Sequence, residues 1–525
     1  MPHSTNTTCS ICGSAVQAPS SSPSPSMEAE NLLKTNETPY NREACCASLA
    51  DAEAYLGNLN AKIDRIEETL RLLWDEQKRC EYTVQTYKMI LHPVRTLPDD
   101  VLWEIFAQCL DLNGFGKRLW GMECHPDTLN PRTAPWTLGQ VCHRWRTVAL
   151  SSASLWRHIG IVFPPPTVSD RYLAGMVALL MEQIRRSGVH PLVMYLHAPH
   201  NLDTHHPLLT LACAQSTRWE KLRFSVRGAA LGLKVLRCIS SLVKGTCHLL
   251  RCLLLEIMGI DADMFGTELI DAFSFAPRLH ELSFFGPPAI FPLINIPRHQ
   301  LTHYRDQTDF PSANEQVIRQ MVNLMGLYAL GLDLSQFAST SMVHLRTLSL
   351  HFPSRLEKST DSFLLQSLPN LRDFRLAVVW LNERKLGLLQ SFLTRCAPTL
   401  RSIYISVFND RDNHLIKLLE CVPGLTCLRL CNVNTAAIRA LAVPTFLAHL
   451  RDIGFWALRQ EDIEPLVRLV ENRVTCQEPQ LKMMRLGING TDFSQLQQLK
   501  ALEAKGIQIE ISLADWFRDV LPDIS

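Results

Sequence analysis

From Leu56 the apolar or semi-apolar positions run Leu56, Leu59, Ile63, Ile66, Leu70, Leu73, Gln77, Cys80, Val84, Tyr87 and Leu91, alternately three and four residues apart. That spacing is a heptad seam, and it predicts one long helix over residues 51–92. Asp64, Arg65, Glu67, Glu68, Arg71, Asp75, Glu76, Lys78 and Arg79 fill the other faces, and no proline interrupts before Pro93. A seam needs a partner. The pattern leaves open whether that is a second copy of the chain, by self-association through the heptad helix, or the chain's own body.

After Pro93 the period breaks into short helices. "LPDDVLWEIFAQCL" has a proline at a helix start, Asp99 and Asp100 in the first turn where the helix dipole favours acids, and an apolar face of Val101, Leu102, Ile105 and Phe106. A Gly-, Pro- and Asn-rich loop from Leu112 to Pro135 separates it from "WTLGQVCHRWRTVAL" at 136–150, with Leu138, Val141, Cys142, Trp145 and Val148 on one side. "SSASLWRHI" follows, carrying Leu155 and Trp156. Three helices this short cannot build an independent core, so residues 93–160 should dock on something. Residues 161–189 read as a connecting helical segment.

Beyond residue 190 the pattern L-x-x-L-x-L recurs: "WEKLRF" at 219, "LRCLLL" at 250, "LHELSF" at 279, "LYALGL" at 327, "LRTLSL" at 345, "LRDFRL" at 371, "LRSIYI" at 400, "LTCLRL" at 425, "LRDIGF" at 450 and "LKMMRL" at 481. "LTHYRD" at 301 is a degraded copy, "PLVMYL" from Pro191 an opening strand, and "GIQIEI" from Gly506 a closing one. Between copies, segments such as "NERKLGLLQSFLTRC" have helical spacing, and prolines at 277, 369, 398, 423 and 479 stand just before the anchor leucine, where they end a helix. The expected fold class is therefore α/β: an N-terminal long helix and a small helical bundle, then a solenoid of strand-turn-helix units over 190–515. Residues 516–525 form a tail. Residues 1–50, with "APSSSPSPS" and little apolar material, are expected to be disordered.

Composition narrows the functional classes. Lys plus Arg number 52 against 51 Asp plus Glu, so no global field draws the chain to nucleic acid or an anionic membrane. The basic-aromatic runs "RWEKLRF" and "HRWRTV" lie on separate elements and do not restore such a field. The first residues lack the basic and apolar regions of a secretory signal, and the longest apolar stretch, "YLAGMVALLMEQI" from Tyr172, falls short of the roughly 20 residues that span a bilayer. The expected location is cytoplasmic or nuclear, with 17 cysteines reduced and structural.

Candidate chemistry is sparse. "CSICG" at Cys9 to Cys12 supplies half a zinc site without the other two ligands. "HAPHNLDTHH", holding His197, His200, Asp203, His205 and His206, has no regular spacing on one element and reads as a solvated loop. No phosphate-binding glycine loop, dinucleotide fingerprint or nucleophile elbow occurs. We expect no enzyme activity of the chain's own, no cofactor and no metal.

The combination of L-P-x-x-x-L-x-x-I-F, V-C-x-x-W-R and a following L-W, preceded by a heptad helix and followed by the repeats, resembles the F-box proteins with leucine-rich repeats, most of all the basidiomycete fungal group. The match covers residues 55 to 160 closely and the remainder by repeat pattern. The resemblance implies that residues 93–160 are an F-box domain docking on the Skp-type adaptor of a cullin-RING ubiquitin ligase while the repeats hold a substrate protein. Carried over by residue, the adaptor-facing candidates are Leu97, Pro98, Val101, Leu102, Ile105, Phe106, Leu138, Val141, Cys142, Trp145, Leu155 and Trp156. The 112–135 loop departs from a compact F-box. Substrate candidates are the residues between strand leucines: Arg223, Ser283, Ser349, Arg375, Tyr404, Arg429 and Gly454.

The competing expectation is a repeat scaffold in which the F-box-like segment only caps the array and no ubiquitin is transferred. The two part at Leu97, Pro98, Ile105 and Phe106, which adaptor docking exposes and a cap buries.

Overall fold

The fold follows from two periodicities, 3.5 residues in the N-terminal helix and 2 in the strands. The computed structural model describes residues 7–8, 15–16, 23–35, 37–39, 41–111, 127–199, 202–203, 205–243, 245–259, 268–287, 289–306, 320–330, 342–352, 368–380, 383–409, 414–458, 462–474, 480–488, 503 and 506–513. The chain divides into two units, Met1–Pro98 and Asp99–Ser525.

In the first unit, helix α1 spans Met27–Thr35 and helix α2 spans Arg42–Ile90, 49 residues. The Asn41 side chain caps α2 by accepting from the Ala44 N–H at 3.0 Å, so the helix starts nine residues before the expected boundary. Helix α1 stands where no structure was expected. Its good helix formers, with Glu28 and Glu30 in the first turn and Lys34 in the last, favour a local helix without a core. No residue of α1 or α2 is buried, and the heptad positions of α2 are exposed.

The second unit opens with α3 (Asp99–Asp111) and α4 (His143–Ser151), followed by a 3-10 turn at Ala153–Trp156. Fourteen strands follow: β1 His158–Val162, β2 Leu192–Ala198, β3 Trp219–Arg227, β4 Cys252–Met258 and β5 Glu281–Phe285. Then come β6 His303–Asp306, β7 Gly326–Leu330, β8 Thr347–Phe352, β9 Asp373–Trp380 and β10 Ser402–Asn409. The last four are β11 Cys427–Cys431, β12 Asp452–Leu458, β13 Met483–Ile488 and β14 Gln508–Leu513. All are parallel and lie in chain order, each strand pairing with its sequence neighbours. Parallel neighbours need crossovers, which the described helices α5 (Asp170–Arg186), α6 (Pro207–Cys213), α7 (Ala229–Val243), α8 (Glu383–Cys396), α9 (His414–Leu419), α10 (Thr435–Leu441) and α11 (Ile463–Val474) supply.

Strand alternation assigns the two faces. The paired leucine positions, such as Leu222 and Phe224, Leu348 and Leu350, or Leu428 and Leu430, enter one continuous core together with helix residues Leu236, Leu389 and Leu466. Each anchor leucine is buried as well: Leu279, Leu345, Leu371, Leu400, Leu425, Leu450 and Leu481.

Two expectations need correction. The sheet begins at β1, one strand before "PLVMYL", because "HIGIV" has the alternation of a strand but follows directly on a segment read as helical. Between β5 and β6 the described chain makes 3-10 turns at Phe291–Leu293 and Arg298–Gln300 in place of an α-helix, since Pro292 and Pro297 withhold the backbone donors an α-helix needs. The degraded copy at 301 is a full member of the sheet, as β6, and "GIQIEI" supplies β14.

Candidate functional site

The helical module has two faces. One turn apart on α3, Leu102 and Phe106 are fully buried, while Val101 and Ile105 on the adjoining face are 39% and 40% exposed. Phe106 packs on Trp145 with ring centroids 4.8 Å apart, and Trp145 is partly buried by it. Arg144 donates to the Asp99 carboxylate at 2.6 Å, fixing α4 against the first turn of α3. Leu138, Leu155 and Trp156 are buried; Val141 and Cys142 are exposed. Thus five of the twelve adaptor candidates, Leu102, Phe106, Leu138, Leu155 and Trp156, form the module's interior. Of the pair that ends the first unit, Leu97 is partly buried and Pro98 exposed.

The other face joins the sheet. Trp136 and Trp156 meet edge to face at 5.0 Å, and the Arg186 guanidinium of α5 lies over both rings, 4.4 Å from Trp156 and 5.1 Å from Trp136. Thr128 pairs with the edge strand: its N–H donates to the Gly160 carbonyl at 3.0 Å, and its hydroxyl accepts from the Gly160 N–H at 2.9 Å. The buried Gln183 amide ties the corner, accepting from Thr128 at 3.0 Å and donating to the His158 carbonyl at 2.8 Å. These bonds cover backbone groups of β1 that an edge strand would present to other chains. Residues 112–126 of the intervening loop, like Cys9, Cys12, His200 and the 516–525 tail, lie outside the described residues.

On the sheet, register settles where the substrate candidates stand. Tyr195, Arg223, Leu254, Ser283, Arg305, Tyr328, Ser349, Arg375, Tyr404, Arg429, Gly454, Arg485 and Glu510 are successive partners across β2 to β14. All seven candidates fall in this one row, opposite the core. The sequence reading omitted Tyr195, Arg305, Tyr328 and Arg485 from it, and it missed Trp456, two residues further along β12. Tyr195, Arg305 and Arg485 sit at the same x of their repeats as the candidates, whereas Tyr328 corrects the copy at 327: register sets Leu327 beside Leu348, so Leu327 is the second leucine of its unit and not the anchor.

Guanidinium and aromatic groups stack in three pairs on this face. Arg223 lies over Tyr195 at 5.0 Å, Arg305 over Tyr328 at 5.2 Å and Arg429 over Trp456 at 5.9 Å. Acids tie down several of these cations: Arg223 to Glu256 at 3.1 Å, Arg429 to Asp452 at 3.6 Å, and Arg485 to Asp452 and to Glu510, the last at 2.8 Å. Burial pushes the Tyr328 hydroxyl up, against the pull of Arg375 and Arg305. Near the C-terminal end Tyr404, Cys431 and Trp456 form a separate small cluster on this face. Tyr195, Tyr328, Tyr404 and Trp456 are buried on this face, as are Ser283 and Ser349, so its accessible groups are the partly exposed guanidiniums of Arg305, Arg375, Arg429 and Arg485, the last two held by ion pairs.

Thiol chemistry is disfavoured at the buried cysteines. Burial pushes Cys213 and Cys247 up to about 12 and Cys431 up to about 11, which keeps them as thiols at neutral pH. Among the described residues no group of three or more His, Cys, Asp and Glu side chains could hold a metal ion. No helix among them is long and apolar enough to cross a membrane.

The chain matches no protein-family model and no curated protein. It has a structural neighbour. The leucine-rich repeat-containing protein LegL7 from Legionella pneumophila is similar over 66% of this chain and 98% of its own, at 13% identity and a TM-score of 0.34. So loose a likeness assigns no role.

Proposed function

We propose that the chain is a substrate-recognition subunit of a Skp-cullin-F-box ubiquitin ligase, built as a leucine-rich-repeat solenoid behind an F-box. The observation that carries this reading is the division of α3. Leu102 and Phe106 complete the module's interior, and Val101 and Ile105 remain as exposed apolar side chains of α3; Val141 and Cys142 are exposed too. Exposed branched aliphatic side chains on a short rigid helix suit burial in a partner's groove, where a few such anchors dominate affinity. By the F-box resemblance Leu97 and Pro98 are adaptor-facing candidates as well. The row from Tyr195 to Glu510 is then the substrate-binding face. The chain does no chemistry itself: it supplies proximity and orientation to the ligase's own subunits.

The second reading, a scaffold with an F-box-like cap, is favoured by the Thr128–Gly160 pairing and the Arg186 stack, which make the module the sheet's N-terminal cap. Pro98 and Ile105 are exposed, as docking requires, but Leu97 is partly buried and Phe106 is fully buried on Trp145, against that expectation, so the two readings differ over whether the Val101–Ile105 face is used. Size-exclusion chromatography of the full chain with a purified Skp-type adaptor tests this. Co-elution as a stoichiometric complex supports the ligase reading; separate elution at micromolar concentration leaves the scaffold.

A further inference from the structure

We propose that α2 pairs with α2 of a second copy of this chain as a parallel, in-register two-stranded coiled coil. The inference stands apart from the ligase reading. The heptad runs further than residues 56–91, because Leu49 and Ala52 continue it towards the start of α2. Positions a are Leu49, Leu56, Ile63, Leu70, Gln77, Val84 and Leu91; positions d are Ala52, Leu59, Ile66, Leu73, Cys80 and Tyr87. Ile66 is 67% exposed and Leu73 61%, and none of the helix is buried. A single amphipathic helix keeping such a stripe in water gains nothing from it, whereas a second copy covers the stripe by knobs-into-holes packing.

The polar layer selects the second copy and its direction. In a parallel, in-register pair every layer meets itself, so the two Gln77 amides face one another and can bond across the seam. The antiparallel register in which Leu70 faces Leu73 instead sets Gln77 against Ile66 of the other copy, burying an amide on an aliphatic side chain. Gln77 now donates to Glu81 along its own helix at 2.9 Å, so its amide already lies on the helix surface beside the seam. Flanking charges agree in part. Lys62 at g faces Glu67 at e of the second copy, an opposite-charge pair formed twice by symmetry. Glu76 at g faces Glu81 at e, a like-charge pair, but Arg79 pairs with Glu76 within the same helix and reduces that repulsion.

Cys80 makes the register measurable. Helix axes about 8–10 Å apart, with Cα atoms on cylinders of radius about 2.3 Å, bring seam-facing Cα atoms within the range a disulfide takes. Two Cys80 thiols in one d layer therefore join on oxidation, two electrons and two protons passing to an added oxidant such as diamide. The antiparallel register keeps them in different layers.

The test uses the full chain carrying Cys45→Ser and Cys46→Ser, which removes the other exposed thiols of α2. Light scattering after size exclusion should give twice the chain mass. Diamide should yield a covalent dimer that disappears on adding Cys80→Ser, and Leu70→Glu with Leu73→Glu should return a monomer with unchanged β-sheet circular dichroism. A monomer at micromolar concentration, a dimer that survives the Leu70 and Leu73 changes, or a dimer that forms no Cys80 link would each overturn the proposal.

Discussion

The indole of Trp456 lies against Gly487 of the adjacent strand so closely that a Cβ built on the glycine would stand 2.2 Å from its Cδ1 atom. On the other side a Cβ at Gly454 would meet the Cζ3 atom at 2.4 Å. Two glycines on neighbouring strands thus make the bed in which the indole, two residues along β12 from the candidate row, rests. Gly487→Ala should cost about 1–3 kcal/mol, the usual cost of overpacking. In a Trp456→Ala background the same change should cost much less. Urea denaturation of the two single variants and the double variant reads that coupling, and additive effects would show that the indole does not occupy the bed.

Ile105 and Phe106 are neighbours in sequence with opposite duties. Phe106→Ala removes a fully buried ring packed on Trp145 and should destabilise the second unit by about 3–5 kcal/mol. Ile105→Asp changes an exposed side chain and should leave thermal unfolding within about 0.5 kcal/mol of wild type. Equal losses of stability in the two variants would contradict the two-faced module.

Arg473 is buried, and its guanidinium donates to the carbonyls of Leu441 at 2.7 Å, Leu447 at 3.2 Å and Val443 at 3.4 Å. It satisfies the chain between α10 and β12, where Leu447 adopts a φ of 53°. Arg473→Met keeps an unbranched apolar stem and removes every donor. Leaving several buried acceptors unpaired should cost about 3 kcal/mol, seen as a lower urea midpoint.

His158, at the start of β1, carries a pH dependence. Burial pushes its imidazole down to about 4, with Arg157 and Lys221 adding to the effect, from an ordinary value of 6.5. The unfolded chain therefore takes up a proton below about pH 6.5 that the folded chain refuses until about pH 4. Stability should fall as pH drops through that window, by up to about 3 kcal/mol. His158→Asn should lose less stability than wild type between neutral pH and the lower edge of the window; parallel curves would refute the assignment.

Much of the sheet was legible in the sequence. Thirteen of the fourteen strands overlap repeats read from L-x-x-L-x-L or the flanking "PLVMYL" and "GIQIEI" segments, because each strand's two core positions alternate with surface ones; the copy at 327 is out of frame, since Leu327 pairs with Leu348, the second leucine of its repeat. Strand β1 was not, since "HIGIV" has no copy of its own anchor and abuts a helical stretch. The row of substrate candidates was legible for the same reason as the strands: one position of the repeat always points away from the core. Which of Val101, Leu102, Ile105 and Phe106 faces inward was not legible. All four are apolar, and their burial depends on Trp145 and on residues brought in from the far side of a long loop. Nor could the sequence show that Thr128 closes the edge of β1, a contact made by a threonine in a turn-rich segment with no periodic signal.

Docking of the Val101–Ile105 face on a Skp-type adaptor is read by a calorimetric titration of the full chain against that adaptor, wild type compared with a Val101→Asp, Ile105→Asp variant. Wild type should form a saturable one-to-one complex, weakened at least about tenfold, or about 1.4 kcal/mol, in the variant. Absence of binding by wild type, or equal binding by both proteins, would contradict docking through this face.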